Sequence, residues 1–211
     1  MNKILLAIIL LCTACAPAAA TSAPQVVKVY VTAAAQPWLT EAANCAASSS
    51  VILSNVIDPA QSDIVIRVGE PDELSTPAFQ IDHEDLLIVT HRESLVQNLS
   101  TEQARALFAG QGQADVQIWV YASGEDLQQV FAREIMQGTP VTSLARLAVS
   151  PQQMSDTLNA DKNAVGLLGR HWKTGMVREV YSLSNLPVLA ITPAEPQGAI
   201  KEILACLQKD Q

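Results

Sequence analysis

Short apolar, β-branched runs alternate with helix-patterned segments from residue 26 to residue 208, and this alternation constrains the fold more than any other feature. Strands are expected over residues 26–31, 51–56, 63–68, 86–90, 116–121, 164–168, 177–183 and 188–191. Helices are expected over 37–47, 101–108, 124–136, 151–159 and 196–208. Pro37 suits a first helical turn, and Gly110 closes the helix before it. In the last helix Ile200, Ile203, Leu204 and Leu207 share one face. Strands that alternate with helices predict an α/β fold in which helices cover a mainly parallel sheet. With 49% hydrophobic residues in a chain of 211, a sizeable core is affordable and disorder is disfavoured. The sequence has no internal repeat, no Gly-x-Gly-x-x-Gly, no phosphate-cradling Walker loop and no Gly-x-Ser-x-Gly elbow.

The N-terminus carries a different message. Lys3 precedes an apolar run over residues 4–11, which is shorter than the roughly 20 residues a membrane span needs. Such a run fits the central region of a secretory signal. It leads into "ILLCTACAPAAATSAP", residues 9–24. Cys12 and Cys15 have redox spacing, but a redox pair belongs at a helix N-terminus inside a folded domain. The stretch instead resembles a bacterial lipoprotein signal. Thr13 and Ala14 are the small residues before Cys15, which would become the first mature residue and carry the lipid. Cys12 stands where that signal usually has Leu. Cleavage as an ordinary signal near Ala-Pro-Ala is the alternative. The lipoprotein reading makes residues 1–14 a signal and 15–24 a flexible tether, with the protein held to the cell membrane by the lipid; either way the remainder is exported and extracytoplasmic.

Net charge is −8, or −9 without Lys3, and this acidic balance argues against nucleic acid as a partner. Beyond the signal, Cys45 and Cys206 remain, both in expected helices. An exported pair tends to be oxidised, and two separate buried thiols is the other reading. His83, His91 and His171 are scattered and show no ligand spacing with the cysteines, so no metal and no cofactor are expected. The acids Glu125 and Asp126 and these histidines form no nucleophile–base arrangement, so no catalytic residue and no enzyme activity are expected.

Four segments together resemble the phosphate-type solute-binding proteins of bacterial ABC transporters. They are "SDIVI" (62–66), "LLIVTHRESLVQNLSTEQARALFAG" (86–110), "YASGEDLQQVF" (121–131) and "NADKNAVGLLG" (159–169), in the family's order. The resemblance implies a two-lobed type II periplasmic-binding-protein-like fold with two crossover strands. Lobe 1 would take residues 25–92 and 180–211, and lobe 2 residues 93–179. It also implies that the first and last helices share a lobe, which would make Cys45 and Cys206 neighbours and favours a disulfide between them.

In such proteins the ligand sits between the lobes, at strand ends and helix N-termini, where free N–H groups favour an anion. The resemblance places Thr32, Ala34, Gln36 and Trp38 in the first turn of that cleft, Ser62 and Asp63 in the second, and Tyr121, Ser123, Gly124 and Glu125 in the third. This chain departs from the phosphate binders at two of them. The first turn reads Thr-Ala-Ala-Ala-Gln-Pro-Trp, poor in hydroxyls. The third lacks the usual Arg and has Glu125 where a Thr hydroxyl is expected. A carboxylate there repels phosphate, and the strong charge-assisted contact is lost. A less charged or cationic small molecule is therefore favoured. Ser123 also reads as a plain helix N-cap, with Glu125 and Asp126 complementing the helix dipole. Trp38 and Tyr121 read equally as pocket floor or packing, Arg67 as a surface cation before a cleft one, and His171-Trp172 as a hinge element before a ligand contact. The expected protein is a monomeric, lipid-anchored receptor that delivers a small ligand or ion to an ABC permease. The alternative is a sensor or interaction module on the same fold with a degenerate pocket.

Overall fold

The computed structural model describes residues 25–112 and 115–209. The expected signal, the tether and Cys12 and Cys15 lie outside these residues.

Eight strands form a continuous sheet: β1 (Val26–Val31), β2 (Ile52–Asn55), β3 (Ile64–Val68), β4 (Ala78–His91), β5 (Gln117–Val120), β6 (Arg146–Leu147), β7 (Ala164–Gly169) and β8 (Val177–Ile191). Their order across the sheet is β2-β1-β3-β8-β4-β7-β5-β6. The pairings at the two ends are parallel, β1 with β2 and β3, and β5 with β6 and β7. The three central pairings, β3 with β8, β8 with β4 and β4 with β7, are antiparallel. The sheet is thus mixed rather than mainly parallel, because β4 and β8 carry the chain across the molecule in opposite directions.

These two strands link the halves. Near its start β4 lies in register with the end of β8, from Ala78 opposite Ile191, on the side where β3 also joins. Further on, Leu86 to Thr90 add β7 as a second neighbour. Elements before β4 and after β8 build one lobe, and those between build the other. The structure lengthens both strands relative to expectation. The polar run Asp82–Asp85 interrupts the apolar signal that marks β4, yet its backbone stays paired. The two expected strands at 177–183 and 188–191 are one, since Asn185 takes φ +63° and bends the strand at an irregularity without breaking it. Asn tolerates that left-handed conformation better than most residues.

Helices α1 (Leu39–Ser48) and α5 (Gly198–Leu207) pack together, with Ala42, Ala46, Ile203, Leu204 and Leu207 buried. Cys45 and Cys206 form a disulfide between them. In the other lobe, α2 (Thr101–Ala106) starts at a capping box, in which Ser100 and Gln103 satisfy one another's backbone N–H groups. It runs on in wider turns to Gly110 at φ +83°. Helix α3 (Asp126–Val130) likewise continues in wider turns to Met136. Helix α4 (Pro151–Ala160) buries Met154 and Leu158. Strand β7 is buried at every residue, as its unbroken apolar pattern requires.

Candidate functional site

The cleft lies where the C-terminal ends of β1 and β3 meet the start of α3. Parallel pairing of β1 with β3 ends as Thr32 N–H donates to the Ile66 carbonyl, 3.0 Å. The chain then turns away through Ala33 to Ala35, so the Val68 N–H no longer has a strand acceptor on that side. Asp126 supplies one. Its Oδ2 accepts from Val68 N–H at 2.9 Å and from the Thr32 hydroxyl at 2.6 Å. Its Oδ1 accepts from Leu127 N–H at 2.9 Å. Asp126 is only 2% exposed. A buried carboxylate of one lobe is thus held by donors of the other, the satisfaction that a buried charge demands.

Further contacts close the cleft around it. Arg67 Nη2 donates to Gln129 Oε1 at 2.8 Å, and Trp172 Nε1 donates to the Ala34 carbonyl at 2.9 Å. Ala34, Tyr121, Glu125, Asp126, Leu127, Ser150 and Pro151 surround a cavity of about 10 Å³, roughly the room for one water centre. The electrostatics are hostile to a further anion. Burial, and then the adjacent Asp126, push the Glu125 carboxyl above its usual range. Burial, Asp126 and Glu125 push the Tyr121 phenol up in the same way. Burial lowers Arg67 below the usual guanidinium value, with Asp126 acting against that shift.

Of the expected cleft residues, Thr32, Ala34, Tyr121 and Glu125 are brought together here. Tyr121 is core as well as lining, since its hydroxyl donates to the Leu167 carbonyl at 2.9 Å. Gln36 folds back onto the Val31 carbonyl, 3.3 Å away. Trp38 is 3% exposed, donates to Asp82 Oδ2 at 2.8 Å and packs edge-on against His171; it is packing, not pocket floor. Ser62 and Asp63 are at the wrong end of β3. Ser62 donates to the Pro59 carbonyl and Asp63 accepts from Lys28 N–H, while the cleft is at the C-terminal end of that strand. Ser123 and Gly124 are exposed. The N-cap position belongs to Glu125, without a side-chain capping bond, so Ser123 is not the cap. Sequence reading missed the Val68 N–H; it read Asp126 as a helix-end acid rather than as the group that bridges the lobes, and put Arg67 at the surface before the cleft, where the structure places it against Gln129. An acid directly after the Ser-Gly-Glu turn was the available signal for Asp126.

A second buried carboxylate anchors the hinge. Glu84 of β4 accepts from the N–H groups of Asp85 and Arg170, and His171 Nδ1 lies 3.0 Å from its Oε2. Arg170 pairs with Asp85 at 2.7 Å and with Glu179 at 3.0 Å, tying the turn at Arg170–Trp172 to both crossing strands. His171 and Trp172 thus lie in a turn tied to the crossing strands, and Trp172 also reaches across the cleft. Among the described residues, no group of three or more His, Cys, Asp or Glu side chains is placed to hold a metal ion. Among them also, no helix is long and apolar enough to cross a membrane.

Comparison with known proteins places this geometry in a fold. No protein-family model and no curated protein sequence matches the chain. Solved structures do. A protein from Clostridium perfringens assigned as a phosphate ABC transporter substrate-binding protein, solved with bound phosphate, superposes with a TM-score of 0.75 at 13% identity, covering 88% of this chain and 96% of that one. An ABC-type phosphate transport receptor from Vibrio cholerae gives 0.66 at 15% identity, covering 87% and 94%. The regulatory domain of a LysR family regulator from N. meningitidis gives 0.64 at 12%, covering 88% and 93%. At these identities the likeness is one of fold: the chain has the type II periplasmic-binding-protein-like fold, which transport receptors and regulatory domains share.

Proposed function

We propose that this chain is the extracytoplasmic small-ligand receptor of an ABC-type transporter, tethered to the membrane through a lipid on Cys15, and that inorganic phosphate is not its ligand. The observation that carries the reading is the grip in the cleft. A hydroxyl and a backbone N–H of one lobe converge on a single buried oxygen presented by the other. Lobes with complementary donors and acceptor facing each other fit a two-lobed receptor, in which binding energy is spent on bringing lobes together. The fold shared with two phosphate transport proteins supports it, as do the signal-like leader and the acidic charge. Phosphate is disfavoured because Glu125 and Asp126 both line the cavity and Arg67, the guanidinium that acts on Asp126, is already engaged with Gln129.

A second reading, a sensor or interaction module on the same fold, is favoured by one observation. The cavity of about 10 Å³ holds no more than a water in this closed arrangement. A thermal-shift screen of the exported protein against anions, amino acids, sugars and cations separates the two, because a ligand that binds only the folded state raises its melting temperature. A saturable rise with one compound class supports the receptor, and no rise with any supports the module. Titration calorimetry with phosphate at neutral pH is expected to show no micromolar binding; tight binding refutes that part of the proposal. Replacing Cys15 with Ser is expected to release the protein from the membrane fraction, and a variant that stays membrane-bound overturns the anchor.

A further inference from the structure

We infer that Asp126 is a built-in ligand: its carboxylate occupies the oxyanion grip of the cleft and latches the two lobes together, so that an external oxyanion enters only by displacing it. The inference rests on the reading of the cleft as the binding site. Three features of the structure carry it.

The donors that Asp126 satisfies are left over by the other lobe. The Val68 N–H sits beyond the last β1–β3 backbone bond, and the Thr32 hydroxyl stands beside it at the strand end. Both are aimed at the same oxygen, Asp126 Oδ2, although Thr32 and Asp126 are 94 residues apart and Val68 and Asp126 are 58 apart. A side chain that served only its own helix would need neither. Secondly, Asp126 is almost completely buried, and the space left beside it is about 10 Å³. An oxyanion cannot be added to the grip without removing the one already there. Thirdly, the latch has company at the same junction. The Arg67–Gln129 bond also joins the lobes, and Gly69, at φ +74°, lets its backbone approach Val130 so closely that a Cβ there would lie 2.6 Å from Val130 Cγ2. The facing surfaces are shaped for contact with each other.

The charged and titratable groups around Asp126 are Glu125 and Tyr121 from its own lobe and Arg67 from the other; Asp72 and Arg133, paired with each other at 3.6 Å, act on Arg67 with opposite signs. Arg67 balances one carboxylate. A second negative group therefore has to come in exchange for the first, one charge for one, which restricts displacing ligands to compact monocarboxylates; a phosphate would bring more charge than Asp126 takes away.

Chemical rescue tests the latch without knowledge of the natural ligand. Asp126→Ala removes the carboxylate and leaves both donors facing a small void, and formate is the missing group as a free ion. The variant is expected to have a larger radius of gyration than the wild type in small-angle scattering. Formate should contract it saturably and raise its melting temperature with the logarithm of concentration, by about 4 °C at ten times its dissociation constant. Chloride at equal ionic strength should do neither, and the wild type should respond to neither salt. A folded Asp126→Ala protein that is as compact as wild type and indifferent to formate overturns the inference. So does a wild type that responds to formate as strongly as the variant. If Asp126→Ala does not fold, Thr32→Val decides: this isosteric change removes one latch donor and makes no void. An expanded molecule supports the latch, and an unchanged radius overturns it. The ligand screen on the wild-type receptor can fail while this rescue succeeds, and the reverse, so the two readings are tested separately.

Discussion

Removing the Cys45–Cys206 disulfide is expected to cost this protein a large part of its stability. The bond joins residues 161 apart, close to the two ends of the folded chain. In the chain-entropy description, a cross-link closing a loop of that length removes about 17 cal/mol/K from the unfolded ensemble, or about 5 kcal/mol at 25 °C. Domains of this size have about 5–15 kcal/mol in total, so a third or more is at stake. The local structure argues that the loss will be felt. Helix α5 is the last element; besides the disulfide it packs on α1 and on β4, with Ala42 and Ala46 of α1 and Ala199, Ile203, Leu204 and Leu207 of α5 buried, and Gln208 donates to the Gln80 carbonyl at 3.2 Å. The α1 side of that contact is alanine, which buries little area for each residue, so the packing replaces only part of what the bond contributes. The test is the double variant Cys45→Ala with Cys206→Ala, which avoids both a stray thiol and a buried hydroxyl. Its thermal and guanidinium unfolding curves are compared with those of the oxidised and the reduced wild type. The expected result is a melting temperature lower by about 10–20 °C and a reduced wild type that behaves like the variant. A loss below about 1 kcal/mol would refute the entropic reasoning, and two titratable thiols in the unreduced exported protein would refute the bond itself.

Two further predictions concern the lobe junction and the hinge. Gly69→Ala should destabilise by about 2–3 kcal/mol, since it adds a left-handed backbone penalty to a methyl wedged against the stiff Val130. Gly138→Ala, at φ +85° with open space around it, should cost only about 1 kcal/mol for its backbone; equal losses in urea unfolding would rule out the interlobe wedge. At the hinge, burial tends to raise the Asp85 carboxyl, but hydrogen bonds from Arg170 and the Asn185 N–H outweigh it and hold the group below its usual value; Lys173 does the same for Glu179, against burial and with help from Arg170. Both groups bind protons more weakly folded than unfolded, so their contribution is present at neutral pH and is lost as pH falls through about 4. Arg170→Gln should flatten that fall between about pH 5 and 3 and cost no more than about 1 kcal/mol at pH 7, given the exposure of Arg170. An unchanged acid limb in the variant would show that these pairs do not carry the dependence.

What could be read from the sequence was whatever is written in local pattern. Apolar runs and their spacing place α1, α4, α5, β1, β3, β5 and β7 close to where they are found, because burying one face imposes its period on the residues themselves. Cys45 and Cys206 could be assigned to helices in the same way, and their pairing followed once the fold resemblance put those helices in one lobe. The two long crossing strands were only half legible. The charged run Asp82–Asp85 has no strand pattern of its own, and it is strand because β8 lies beside it. Asn185 looks like a turn and is a bend inside β8. The cleft was legible as a place, but not the partners that its side chains find there. Ser62 and Asp63 were assigned by motif to a strand end that faces away, and Asp126 passed for a helix-end acid. Its actual role depends on Thr32 and Val68, 94 and 58 residues distant, arriving at one oxygen. A carboxylate at a helix start is stabilised by nearby N–H groups in any context. Whether it also fills another lobe's binding site is decided only when tertiary packing removes the water and leaves it the sole acceptor in reach.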